Sequence, residues 1–316
     1  MHVRWQDHEA VVLERGPVRL VVVPSLGARV VSLVDRRSDR EWLVQGAVPA
    51  PGVDWSRDDA VFGGHEAFGW DECLPTVSPC PDPLDPDAPP LRDHGEQWGR
   101  ATDVDHDPEV GSMTATWSST RWPYTFQRVL RIEGSGVVAD YELASTRDRR
   151  IPFLWSMHAL LALEPGSHLV VSPAGQARLT HDTGLGLPPD VREVAWPDGA
   201  PERLDVVRPI TAGQAAKLYL DARTLDRAAA RAGDGSELRF SWDRDVAPTI
   251  GIWLAYGGWP AGDVPRHQVA LEPTTSPDDD LATALAAGRA RWLEPGRVER
   301  WSVRLELGAP EASPAT

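Results

Sequence analysis

The sequence predicts an all-β protein built from packed antiparallel sheets. Three observations carry this: many short alternating apolar runs, turn residues between them, and very few helical stretches. Strand-like runs cover residues 10–13, 18–23, 28–34, 113–117, 125–132, 137–143, 168–171, 217–220, 237–242, 249–256, 267–271 and 300–307. Arg128-Val129-Leu130-Arg131-Ile132 and Trp301-Ser302-Val303-Arg304-Leu305-Glu306-Leu307 alternate with the period of a half-buried strand. Glu133-Gly134-Ser135-Gly136, Gly233-Asp234-Gly235-Ser236 and Glu294-Pro295-Gly296 supply turns between such runs.

Helices are expected at two places only. Over residues 278–290, Ser276-Pro277-Asp278-Asp279-Asp280 offers a capping serine, a proline for the first turn and acids for the positive helix end. A shorter helix is expected over 221–232. Residues 79–90, crowded with proline and aspartate, form a loop, which flanking segments suggest would sit over a pocket. No repeat or linker divides the chain, so one domain is expected over residues 1–308, with 309–316 as a flexible tail.

A formal net charge of -15 would repel nucleic acid and anionic membranes, leaving a small neutral molecule as the easier ligand. Lys217 is the single lysine among many arginines, a bias that composition alone can produce. Cys73 and Cys80 are too few for a disulfide framework and lack zinc-site spacing, so free thiols in a cytoplasmic protein are expected. The polar N-terminal residues have no signal-peptide core, and no stretch approaches the ~20 apolar residues of a membrane helix.

Chemistry is suggested first by Glu272, an acid that closes the apolar run Val269-Ala270-Leu271 just before Pro273. A carboxylate at a buried strand end is costly without a partner or a task. Taken alone, it equally fits an arginine partner or a cap of the following helix. His94, in Asp93-His94-Gly95-Glu96, fits a tight turn, and His158, in Trp155-Ser156-Met157-His158, fits a satisfied core histidine.

Segments in order resemble the aldose 1-epimerase family, the galactose-mutarotase-like proteins. They are Pro24-Ser25-Leu26-Gly27-Ala28-Arg29, Gly69-Trp70-Asp71-Glu72-Cys73-Leu74-Pro75, Asp93-His94-Gly95-Glu96-Gln97-Trp98-Gly99-Arg100, Trp155-Ser156-Met157-His158, Ile252-Trp253, Gly258-Trp259-Pro260 and Leu271-Glu272-Pro273. The resemblance runs from about residue 10 to about residue 308 and implies a β-supersandwich. It also implies Glu272 as general base, His158 as general acid and His94 as a hydrogen-bonding partner near the anomeric centre. Such a pair would interconvert α and β anomers of a free hexose by ring opening and closure, with no metal or nucleotide.

Fourteen tryptophans against five phenylalanines and four tyrosines suit a sugar ligand, since indole stacks on pyranose C–H faces. Trp70, Trp98, Trp155, Trp253 and Trp259 fall inside the family-like segments, with Trp70, Trp155, Trp253 and Trp259 as the stacking candidates; Asp71, Glu72 and Arg100 are the hydroxyl partners, and Arg29 is either one more or an ion-pair partner. The Asn-Arg stretch and the extra aspartate of better-known mutarotases are not located from the sequence, and a phosphate clamp is not recognisable. Asp93 and Glu96 speak against a phosphorylated sugar, with Arg100 opposing them. The alternatives are a non-catalytic carbohydrate-binding protein, or an epimerase or lyase acting at another carbon; Tyr256 is the one tyrosine near a motif. Oligomeric state is not readable from the sequence.

Overall fold

The computed structural model describes residues 2–47, 53–119 and 121–308. The expected tail at 309–316 lies outside the described residues. Two large sheets dominate, one of 12 strands and one of 8, with a two-stranded pair of Ile151–Phe153 and Arg291–Leu293 beside them. Strand ladders throughout are antiparallel, as the alternating runs predict. All twelve expected runs fall on strands.

The strands that the pattern does not mark are instructive. Trp70–Cys73 and Ser156–Leu161 are buried at every position, so neither shows polar alternation. They are central strands of the larger sheet, whose order runs from Arg29–Asp35 through Trp70–Cys73, Ser156–Leu161, His267–Thr274, Thr249–Tyr256 and Gln214–Asp221 to Gly175–Thr183. Burial on both faces is what allows it to carry a site on one of them.

One face packs on the smaller sheet around residues such as Trp70, Met157, Trp155, Phe126, Tyr141 and Trp301. Glu72 bridges the sheets: its carboxylate accepts from Arg128 at 2.9 Å, the Tyr141 hydroxyl at 2.9 Å, and the indoles of Trp70 and Trp155 at 3.0 Å each. The opposite face carries a second apolar cluster, including Phe62, Phe68, Trp55 and Trp98, contributed by the connection between Arg40–Glu41 and Val104–Asp107.

Three local expectations are corrected. The helix expected over 278–290 is shorter, Leu281–Ala286, and Asp280 caps it by accepting from the Thr283 N–H at 2.7 Å. Ser276 instead bonds Asp278, which is held by Arg289 at 2.7 Å and Arg178 at 3.0 Å, so tertiary ion pairs claim the residues that would have started the helix. Over 221–232 the chain makes a turn at Ala222–Thr224 and then the strand Arg227–Arg231, whose Ala228, Ala229 and Ala230 are buried against the core. The 79–90 loop is a loop, but it does not line the cavity that holds Glu272, whose edge is formed by Val77 and Ser78; Arg121 ties it down through Asp82 at 2.8 Å and the Pro90 carbonyl at 2.8 Å, and Pro79, Pro89 and Pro90 border a separate cavity with Arg57 and Val61.

Candidate functional site

A polar row crosses the larger sheet on the face away from the smaller one. His158 pairs with Asp71, and the flanking pairs Ser156 with Thr274 and Leu160 with Ala270 set His158 opposite Glu272. Glu272 pairs with Gly251 and Gly251 with Tyr219, while the Val30–Trp70 pair sets Arg29 beside Asp71. Residues opposite one another share a face. The row therefore reads Arg29, Asp71, His158, Glu272, Gly251, Tyr219. A second row, two residues along, contains His181, Lys217 and Trp253.

Glu272 is buried, at 1% exposure, and its carboxylate is divided in function. Oε2 receives the ammonium of Lys217, which reaches it diagonally across Gly251. A Cβ at Gly251 would stand 3.0 Å from Oε2 and 3.1 Å from the Tyr219 ring, so glycine is what leaves room for the pair. Oε1 is buried without a hydrogen-bond partner, and His158 Nε2 stands 3.9 Å from it. A buried carboxylate oxygen with no protein donor has lone pairs open to a hydrogen-bond donor.

His158 is also buried, and its Nδ1 has no partner. Burial, with the positive charges of His94, Lys217 and Arg29, pushes its pKa well below the usual imidazole range, so the neutral ring is favoured. The general acid expected of His158 requires the opposite state. His94 stands edge-on to His158 with centroids 4.9 Å apart and stacks on Phe62 at 4.0 Å. Its Nδ1 bonds Asp93 at 2.8 Å, and Asp93 also accepts from the Phe62 N–H, so the turn and the ring are fixed together. The turn is tight: His94 has φ +55, and at Gly95, φ +77, a Cβ would lie 2.4 Å from Leu74 backbone atoms.

These groups line a cavity of about 310 Å³, walled by Phe62, Val77, Ser78, His94, His158, Thr180, His181, Lys217, Trp253, Trp259, Gln268, Glu272 and Asp279. Its size lies within the ~300–1,000 Å³ typical of small-ligand pockets. Trp253 and Trp259 meet edge to face at 5.7 Å on one wall. Gln268, four residues before Glu272, is buried with Oε1 unpaired, and Asp279 accepts the Tyr219 hydroxyl at 2.6 Å. Burial beside Asp279 and Glu272 pushes the Tyr219 pKa well up, which keeps that hydroxyl protonated.

Of the residues singled out from sequence, Glu272, His158, His94, Trp253 and Trp259 come together here. Asp71 is next to His158 in the row but engaged by Arg29 in a two-point pair, Nε to Oδ1 at 2.9 Å and Nη2 to Oδ2 at 2.7 Å. Arg29 is thus an ion-pair partner, lying over the Phe68 ring. Trp70, Glu72 and Trp155 face the inter-sheet core, where Glu72 joins them to Arg128. Arg100 holds the loop at Ser56 and Asp58, away from the cavity. Lys217, Gln268, His181 and Asp279 were not anticipated.

No group of three His, Cys, Asp or Glu among the described residues is placed to hold a metal ion. No helix among them is long and apolar enough to cross a membrane.

No family model and no curated protein matches the sequence. Solved structures do match it. The Slr1438 protein from Synechocystis sp. PCC 6803 superimposes with a TM-score of 0.70 at 16% identity, covering 96% of each chain. A galactose mutarotase-like protein from Lactobacillus casei ATCC 334 gives 0.64 at 16% identity, over 94% of this chain and 99% of that one. A GalM/aldose epimerase homologue from C. elegans gives 0.60 at 12% identity, over 96% and 100%. Likeness along nearly the whole of each chain, in two packed antiparallel sheets, establishes that this chain has the galactose mutarotase-like β-sandwich fold.

Proposed function

We propose that the protein is an aldose mutarotase acting on a free monosaccharide, with Glu272 as the base at the anomeric hydroxyl. The observation that carries this is the unpaired Oε1 of Glu272, buried at the base of a cavity whose wall includes Trp253 and Trp259. Indole faces suit the C–H face of a pyranose, and a single accepting oxygen suits one hydroxyl proton. The fold, likewise, is that of solved structures described as galactose mutarotase-like. Free, buried Cys73 and Cys80 agree with a reducing, cytoplasmic setting.

The reaction begins as Glu272 takes the C1 hydroxyl proton. The bond from C1 to the ring oxygen breaks, its electron pair passes to that oxygen, and the oxygen gains a proton. Rotation about the C1–C2 bond and reversal of the steps give the other anomer. His158 faces Glu272 as a neutral imidazole and hydrogen-bonds the sugar, while His94, fixed by Asp93, borders the same space. The ring oxygen takes its proton from a protonated group lining the cavity.

The test is anomer exchange, followed by NMR or polarimetry, on free aldoses including α-glucose and α-galactose. Acceleration over buffer is expected. Glu272→Gln should lower kcat by about 10²–10⁴-fold while leaving sugar binding in place. A full panel of aldoses equilibrating no faster than in buffer would refute the reading; binding without turnover in the unaltered protein would favour a carbohydrate-binding role.

A further inference from the structure

Lys217 is the only lysine in the chain, and it stands in the middle of the buried run Ala215-Ala216-Lys217-Leu218. An ammonium there is costly unless it has a partner, and its partner is Oε2 of the proposed base. We propose that Lys217 donates and reclaims the ring-oxygen proton, so that Lys217 and Glu272 act as one bifunctional acid–base pair; this rests on the mutarotase reading of the cavity.

The chemistry of the pair complements that of a hemiacetal. A hemiacetal carbon bears a hydroxyl that gives a proton and a ring oxygen that takes one, side by side. The pair presents an accepting oxygen, the unpaired Oε1 of Glu272, beside a donating Nζ, and both residues line the cavity. In the forward step the hydroxyl proton passes to Glu272, the electron pair of the breaking bond to C1 passes to the ring oxygen, and an ammonium proton of Lys217 follows it there. The products are a neutral acid, a neutral amine and an open-chain aldehyde, and ring closure returns both protons.

Lys217 and Glu272 are 6% and 1% exposed, so the exchange takes place between two groups held out of bulk water. Lys217 also faces the Tyr219 ring, with Nζ 5.4 Å from its centroid, and His181 directly across the neighbouring strand. His158, His94 and Asp279 also line the cavity. His158 is pushed toward neutrality in part by Lys217 itself, and Lys217 is the group bonded to the base.

A single lysine makes the test clean. Protein labelled with ¹³Cε-lysine has one side-chain signal, whose titration reports Lys217 directly. The alkaline limb of kcat/KM for anomer exchange is expected at that midpoint, because this profile reports the free enzyme's essential acid. Lys217→Arg keeps a cation beside Glu272 but one that does not release its proton in proteins. It should retain sugar binding, lose kcat by about 10²–10⁴-fold and lack the alkaline limb.

Full turnover in Lys217→Arg would show that only the charge matters and would overturn the proposal, leaving the mutarotase reading intact. An alkaline limb displaced from the lysine midpoint would overturn it equally, and this comparison uses unaltered protein should the variant fail to fold. Absence of catalysis in the unaltered protein removes both readings together.

Discussion

At the residue scale, the neutral state of His158 ties stability to pH in a defined direction. Its folded pKa lies well below the ordinary 6.5, so the unfolded chain binds a proton that the folded chain resists. The contribution is therefore fully present above that unfolded value and is lost as pH falls through the window between it and the depressed folded value. His158→Gln removes the term: between about pH 7 and about pH 5, melting temperature should fall further in the unaltered protein than in the variant. Parallel curves would show that His158 binds its proton as readily in the folded chain as in the unfolded one. The same scale shows what was legible beforehand. Glu272 stood out as a charge ending an apolar run, and Lys217 carried the same signal, a charge inside one, but was masked by an arginine-rich composition in which one lysine looks incidental. Trp70 and Glu72 flank Asp71 in sequence, yet strand alternation turns both toward the inter-sheet core.

At the scale of elements, the decisive feature is a gap. Gly251, in the strand Thr249–Tyr256, is the one position of the polar row without a side chain, and Lys217 meets Glu272 over it. Gly251→Ala would press on Glu272 and the Tyr219 ring and should cost about 1–3 kcal/mol of stability by overpacking, with a disproportionate loss of turnover. Paired melting and kcat measurements check this; unchanged turnover would mean that the Lys217–Glu272 contact tolerates displacement. Elements also explain the corrected expectations. Local signals for a helix over 278–290 were real, but Asp278 gains two arginines by leaving it, and a tertiary ion pair outweighs a dipole contribution of a few tenths of a kcal/mol. Strands Trp70–Cys73 and Ser156–Leu161 escaped the alternation test because burial on both sides erases alternation.

At the scale of the molecule, the site stands on a joint between the sheets. Arg128, from the smaller sheet, and Glu72, from the larger, form a buried pair directly behind the strand that carries Asp71. Arg128→Met should cost about 3–5 kcal/mol by leaving Glu72 buried and unpaired, whereas adding Glu72→Gln should restore part of the loss. Chemical denaturation of the two variants checks it, and a double variant no more stable than the single would mean that packing, not charge, carries the joint. The chain's own order of residues determined that it folds into antiparallel sheets and marked Glu272 as a misplaced charge, because alternation and misplaced charges are local properties, while His158 and His94 stood out only through the ordered family-like segments. Their convergence, the face each neighbour occupies, the Lys217 contact and the neutrality of His158 were decided by tertiary structure alone. Each depends on which distant strands pair and on how deeply they are buried, and pairing between residues as far apart as 71, 158 and 272 leaves no trace in local pattern.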